Sequence, residues 1–342
     1  MSYIMLALGW VLNFFYILVG NYGVAILLFT LFIKLVLMPL TVKQQRSMLK
    51  TAKIQPLLME VQQKYGNDKE KLNQETMKIY QKYQINPMSG CLPLLIQLPI
   101  LMALYWVVRK PIIYTMGFGG DEVWRIVSAI EEWGFSNPDA LKNFLGQLHL
   151  EQITALGDNN YKNFGMYEIQ VAKLLHQYPE IMQNHWITEM GKNIKAVDFN
   201  FLGLDLSATP NLGALLQLCI GKIDGLTPGI IALWSIPVLS GLTSFISVKY
   251  SQTQQPPQPV QKDKDGNEKT NPMQTMTMIM PFFSAWITFT LPAAVGLYWI
   301  ASNLFQMLQQ WLLTKMIKVE ITDEQIEGEI INAKKNRKKR KK

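Results

Sequence analysis

Apolar residues along the chain gather in long blocks instead of recurring at the spacing of an amphipathic helix or strand. Residues 27–38 are apolar apart from Thr30 and Lys34, and similar blocks stand at 92–108, 230–248, 276–291 and 293–313. A helix crossing a hydrocarbon core of about 30 Å needs roughly 20 residues, so each block predicts a span. The expected fold class is all-α integral membrane, a five-transmembrane-helix bundle with spans at residues 21–42, 87–108, 228–250, 273–291 and 292–315. Residues 1–20 are apolar and aromatic, with Trp10, Phe14, Phe15 and Tyr16 and no charge. They predict an uncleaved interfacial helix leading into the first span, with a sixth span as the competing reading.

The polar stretches between the blocks carry their own patterns. In residues 43–86, Ile54, Leu57, Leu58, Val61 and Tyr65 share one helical face and Leu72, Thr76, Ile79, Tyr80 and Tyr83 another, with a turn signal at Gly66-Asn67-Asp68. A helical hairpin follows, kinked or broken at Pro56. Residues 109–227 carry helical spacing at 121–133, 137–156 and 166–190, which predicts a mostly helical insertion. Residues 251–272 are rich in Gln, Pro and Lys and read as a connector, and Leu291-Pro292 leaves the last two spans a tight turn. Residues 316–342 form a tail ending in Lys334, Lys335, Arg337, Lys338, Lys339, Arg340, Lys341 and Lys342.

Charge orients this arrangement. Lys43, Arg46, Lys50 and Lys53 follow the first span closely, so that end is cytoplasmic by the positive-inside rule. The hairpin, the connector and the tail are then cytoplasmic, and the N-terminus and the 109–227 insertion extracellular. The formal net charge of +8 sits beside the apolar blocks and in the tail, which favours membrane lipid and the ribosome over DNA. Cys91 and Cys219 form neither a disulfide framework nor a CxxC motif, and His149, His176 and His185 lack metal-ligand spacing. With no phosphate-binding loop, nucleophile elbow or paired carboxylates, no catalytic residue, metal, cofactor or small-molecule substrate is expected.

Lys34 is the residue that asks for a function. It precedes Lys43 by nine positions, about 13 Å along a helix, and so lies near the midplane. An ammonium there costs roughly 2.5–3.5 kcal/mol, and a lysine stem reaches only about 6 Å towards the headgroups. A wet cavity within the bundle accounts for it better than snorkelling. The last span adds Trp299, Ser302, Asn303, Gln306, Gln309 and Gln310. For any one of these, helix-to-helix hydrogen bonding competes evenly with groove lining.

Five stretches carry a family likeness: Asn21-Tyr22-Gly23 through Lys34-Leu35-Val36-Leu37-Met38-Pro39-Leu40, Ile54-Gln55-Pro56, the run from Gln84 to Pro99 containing Asn86-Pro87-Met88-Ser89-Gly90, the run from Leu291 to Phe305, and Gln309-Gln310. Together these closely resemble the YidC membrane insertase family, in a Gram-positive-like form lacking the large Gram-negative periplasmic domain. The resemblance implies a bacterial plasma membrane protein whose five-helix core encloses a hydrophilic groove, open to cytoplasm and lipid and closed outside. It places a central cation at Lys34, usually arginine in the family, and a groove aromatic at Trp299. A groove glutamine common near the end of the third span is absent, its place falling at Ser247 or Val248.

The expected function is membrane protein insertion and chaperoning without nucleotide hydrolysis. Lys34, Gln97, Ser247, Trp299, Ser302, Asn303 and Gln306 would line the groove, while Lys50, Lys53, Pro56 and Tyr65 of the hairpin would meet client or partner. Nascent membrane proteins and lipid are the expected partners, with the ribosome and the Sec translocon as further candidates. The basic tail would bind either ribosomal RNA or anionic lipid. A small-solute transporter built on Lys34 is the rival reading, but neither a paired intramembrane acid nor an inverted repeat supports it. A purely structural subunit would leave Lys34 unexplained.

Overall fold

A computed structural model of the chain describes residues 2–66, 68–86, 92–119, 122–148, 150–152, 164–191, 196–210, 213, 228–253, 261–262, 268–269, 272–317 and 326. Helices follow the apolar blocks. The first, α1, covers Ser2–Val19, and α2 covers Tyr22–Val36. Gly20 between them takes φ +69°, open to a residue without Cβ, and Asn21 caps α2 by accepting from the Val24 N–H at 3.0 Å.

The first span, expected over residues 21–42, is instead a bent pair. Helix α3, Met38–Tyr65, leaves α2 at 61°. The break falls at Leu37, and Pro39 occupies the first turn of α3, where its missing N–H breaks no hydrogen bond. Pro56 does not break α3. It stands on the exposed side, where water can serve the carbonyl that its ring leaves free. Asp68 then caps α4, Lys69–Lys82, by accepting from the Lys71 N–H at 3.1 Å.

The second block forms α5, Leu92–Arg109, followed by the short α6, Pro111–Tyr114. The described part of the insertion holds the helices α7 (Val123–Ser136), α8 (Pro138–Leu148) and α9 (Phe164–Gln177). The helix expected to run to 190 stops at Gln177. Pro179 opens a 3-10 turn to Gln183, and α10 follows at His185–Thr188. Not anticipated is a two-residue-turn hairpin, β1 (Asn200–Phe201) against β2 (Leu204–Asp205), antiparallel with Phe201 opposite Leu204. The remaining helices are α11 (Pro228–Thr253), α12 (Pro272–Thr288) and α13 (Ala293–Met316), with a small strand pair, β3 (Gln261–Lys262) and β4 (Glu268–Lys269), between α11 and α12. Cys91, Cys219, His149 and the tail residues from Lys334 to Lys342 lie outside the described residues.

The chain divides into two compact units, residues 1–31, 99–240 and 285–301, and residues 32–98, 241–284 and 302–342. The first unit is tightly stitched. Gly9 of α1 meets the Tyr114 carbonyl, and Gly296 of α13 meets Ile236 of α11, each so closely that a Cβ would collide. The Tyr16 hydroxyl donates to the Ala196 carbonyl at 2.9 Å and accepts from the Asp198 N–H at 3.0 Å. Beyond the β1–β2 hairpin, the carbonyls of Leu206 and Ala208 accept from the N–H groups of Ala294 and Ala293, both at 2.8 Å. These bonds satisfy first-turn donors of α13 that no helix can satisfy for itself.

The second unit contains the α3–α4 hairpin. Ile54, Leu57 and Ile85 are buried there, and Leu58 of the first stripe and Ile79, Tyr80 and Tyr83 of the second pack against them. Ile326, from beyond the last helix, is 4% exposed in the same cluster and completes it.

Candidate functional site

The helix α11 is inside out by the standards of a water-soluble protein. Ser240, Thr243, Ser244 and Ser247 repeat at helical spacing and are all buried, whereas Val238, Leu239, Leu242, Phe245 and Ile246 are exposed. Water would penalise that apolar face and reward the hydroxyls, so the medium outside this helix is lipid. The same inversion recurs elsewhere, with Phe282 76%, Trp286 57% and Leu308 52% exposed while Ser284 and Ser302 are buried.

Two polar layers hold the second unit together. In one, the Asn303 amide donates to Thr243 Oγ1 at 3.3 Å and to Ser244 Oγ at 3.0 Å, and Ser244 donates to Ser284 Oγ at 3.0 Å. In the other, Gln45 donates to Thr314 Oγ1 at 2.9 Å, Gln309 to Met38 Sδ at 2.9 Å and Gln310 to Ser251 Oγ at 3.3 Å. Asn303 and the glutamines at 309 and 310 therefore join helices. Counting back one turn from the Met38–Gln309 contact along each segment leads to Lys34 and to Gln306. Both are half-buried, and neither has a hydrogen bond or ion pair among the described residues.

Ser247 and Ser302 are buried in this unit and Gln97 is half-buried. Trp299 belongs to the first unit and is 7% exposed. On the hairpin, Lys53 and Pro56 are exposed and Lys50 half-buried, while the Lys64 ammonium lies 4.9 Å from the Tyr65 ring centre. Sequence reasoning overlooked Thr243, Ser244, Ser284, Gln45 and Thr314. The Ser240, Thr243, Ser244, Ser247 stripe was there to be found by its helical period.

The first unit has titratable groups of its own. Glu168 is fully buried, its Oε2 accepting from the Ile113 N–H at 3.2 Å and its Oε1 without a partner among the described residues. Burial pushes its carboxyl up to about 7, against the opposing pull of the Ile113 N–H and the Lys110 charge. A shallow cleft of about 310 Å³ opens beside α9, where Lys173 pairs with Asp205 at 2.6 Å and His176 faces Asp198 at 3.8 Å. Burial raises the Asp205 carboxyl, but Lys173 and Ser207 donate to it and bring it below the usual range. No cluster of three or more His, Cys, Asp or Glu suited to a metal occurs among the described residues.

Helices with apolar outer faces, buried hydroxyl stripes and a cation in an apolar segment, unpaired among the described residues, define a helical membrane protein. The chain belongs to the 60Kd inner membrane protein family, whose sequence profile matches residues 14–320. It is 29% identical to the membrane protein insertase YidC of Caldanaerobacter subterraneus subsp. tengcongensis over 324 residues, 94% of this chain and all of that one. The insertase YidC of Fusobacterium nucleatum is 36% identical over 173 residues, covering 50% of this chain and 81% of the relative. That of Aromatoleum aromaticum is 26% identical over 92% of this chain but only 36% of its own length.

Proposed function

We propose that the chain inserts nascent membrane proteins into the lipid bilayer, holding the polar part of a client in a hydrophilic groove on Lys34 while its apolar part passes into lipid. Five spans carry this reading, built on α2 with the start of α3, α5, α11, α12 and α13. Among the described residues, only Ile231–Thr253 is by itself long and apolar enough to cross, and the bent pair of α2 and α3 passes as one span. The 24-residue α13 is long enough but has Ser302, Asn303, Gln306, Gln309 and Gln310 along it. Of these, Asn303, Gln309 and Gln310 bond to neighbouring helices, and Gln306 is left to line a groove.

The observation that carries the proposal is Lys34, half-buried in an apolar helix and unpaired among the described residues. A structural cation would be expected to have a carboxylate or a carbonyl, since burying a charge without one is costly. A cation kept for a passing ligand would not. An acidic or polar client segment then gains an interaction far stronger than in bulk water, and burial of its apolar segment, at about 25 cal/mol per Å², drives insertion without nucleotide hydrolysis. Lysine supplies attraction without the planar fork of arginine, so the site favours negative charge over any one carboxylate geometry.

Orientation in this reading puts the N-terminus outside and the α3–α4 hairpin, the β3–β4 connector and the basic tail in the cytoplasm. There the hairpin meets clients, and the tail meets the ribosome or anionic lipid. The test is insertion of a small client with a short acidic external tail into liposomes holding the purified protein. Lys34→Arg should retain activity and Lys34→Ala should lose it for clients with charged tails. Equal activity of Lys34→Ala across all such clients would remove the charge-attraction mechanism.

A further inference from the structure

The β1–β2 hairpin is turned by Leu202 and Gly203, at φ +52° and +80°. Two successive left-handed residues make the turn that suits the twist of paired strands, and its first position ordinarily goes to Asn, Asp or Gly. Leucine there pays about 1 kcal/mol or more in steric strain. It gains no packing in return, for its side chain is 86% exposed. In water this position would be doubly unfavourable, because a strained backbone would hold an apolar side chain against solvent.

Where the turn sits supplies the missing term. The Phe201 ring lies directly over Gly23, in the first turn of α2, where any Cβ would strike it. The Tyr22 ring meets Phe199 edge-on with centres 5.1 Å apart, and Tyr16 ties the segment preceding β1 to the end of α1 through the two bonds already described. Just past the hairpin, the chain is fastened to the N-terminal turn of α13 by Ala293 and Ala294. The tip is thus fixed at the level where α2 and α13 begin. Immediately behind it stands a polar collar of Asn200, Asp205 and Lys173, the last two paired at 2.6 Å. An apolar tip with a charged collar matches the change from acyl chains to headgroups at a membrane surface.

We propose that the turn Phe201-Leu202-Gly203 is a lipid anchor, with Leu202 entering the boundary between headgroups and acyl chains of the outer leaflet. This rests on the reading of α2 as a span whose Tyr22 end faces outward. Its consequence is that the insertion is held to the bilayer at a fixed height, so that the segment from residue 196 to 208 braces the outer ends of α2 and α13.

The experiment uses the full chain in lipid nanodiscs, with both native cysteines replaced by alanine and a nitroxide label at Leu202→Cys or, as reference, at Leu35→Cys on the exposed side of α2. Collision with oxygen reports lipid, and collision with a soluble nickel chelate reports water. The label at 202 should collide with oxygen more than with the chelate, by about twofold, and shallower than the label at 35. A label at 35 in lipid with a label at 202 in water would overturn the anchor and leave the membrane reading intact. A label at 202 shielded from both reagents would mean a protein partner or second copy covers it, which also overturns the proposal. If the label at 35 is itself in water, the spanning reading of α2 fails and the anchor fails with it. Leu202 has no side-chain packing to lose, so labelling there leaves folding unaffected.

Discussion

In the first unit, many polar side chains find partners close at hand, Glu168 Oε1 being an exception among the described residues: Tyr16 bonds to two backbone groups, Trp133 donates to Glu180 at 3.0 Å, Arg125 to the Trp186 carbonyl at 3.3 Å, and Lys173 pairs with Asp205. In the second, Lys34 and Gln306 are half-buried with no partner among the described residues, although hydrogen-bonded layers run nearby. Satisfied polar groups rigidify, whereas unsatisfied ones await a ligand or water. In the proposed function, the difference separates a part of the molecule that keeps one shape from a part that receives a client. It also predicts that substitutions in the first unit act on stability and those at the unpaired groups of the second act on function.

The sharpest break of that contrast is steric. Gly296→Val would drive a side chain into Ile236 and should destabilise the protein by about 3 kcal/mol, read as a fall in its unfolding midpoint in detergent micelles. Gln306→Val, ten residues along the same helix, should change stability by less than about 0.5 kcal/mol. Equal losses would erase the distinction between the units.

Next in size is the pH dependence lodged in Glu168. Its carboxyl titrates at about 7 in the fold against 4.5 in the unfolded chain, so the folded state holds the proton more tightly. The stability this contributes is fully present below about pH 4.5 and is lost as pH rises through 7. Between pH 5 and 7 the loss should be about 2 kcal/mol. Glu168→Gln keeps an acceptor for the Ile113 N–H and should flatten the profile over that range. An unchanged slope in the variant would assign the pH dependence elsewhere.

Lys34→Ala turns the comparison round. Removing an unpaired ammonium from an apolar helix should leave stability unchanged or raise it, while insertion of clients with acidic tails falls about tenfold, the lower end of what electrostatic focusing supplies. Activity lost together with stability would make Lys34 a structural residue.

How far the sequence went follows the same division. The helices could be read because long apolar blocks and the stripes of the α3–α4 hairpin are signals that local pattern carries. The bend at Leu37 could not, since Met38-Pro39 marks where a helix is allowed to restart but not that the chain turns by 61° there. The β1–β2 hairpin was hidden for a similar reason: Leu202 stands where such a turn ordinarily has Asn, Asp or Gly, and contacts with Tyr16, Gly23 and Ala293, all distant in sequence, fix the segment around it. At the candidate site Lys34 announced itself, because a lone charge in an apolar run is conspicuous. The role of Asn303 did not, as its partners lie about 60 residues away on another helix. Ile326 in the hairpin core was likewise invisible, set as it is in a polar tail.

Asn303 is where the contrast between the units comes under the finest test, because it stands in the second unit yet behaves like a residue of the first. Its amide bridges Thr243 and Ser244, and Ser244 passes the connection on to Ser284. Hydrogen bonds between membrane helices are worth about 0.6 kcal/mol each, because the groups find other partners when separated, so Asn303→Ala should cost about 1 kcal/mol of stability. A double-mutant cycle with Ser244→Ala should return a coupling of about 0.6 kcal/mol, since each single change removes the same bond. Insertion per folded molecule should stay within about twofold of the parent protein for neutral and acidic clients alike. If stability holds and insertion of acidic clients falls as expected for Lys34→Ala, the amide serves the client rather than the helices, and the hydroxyl stripe on α11 becomes a wall of the proposed groove instead of a seam.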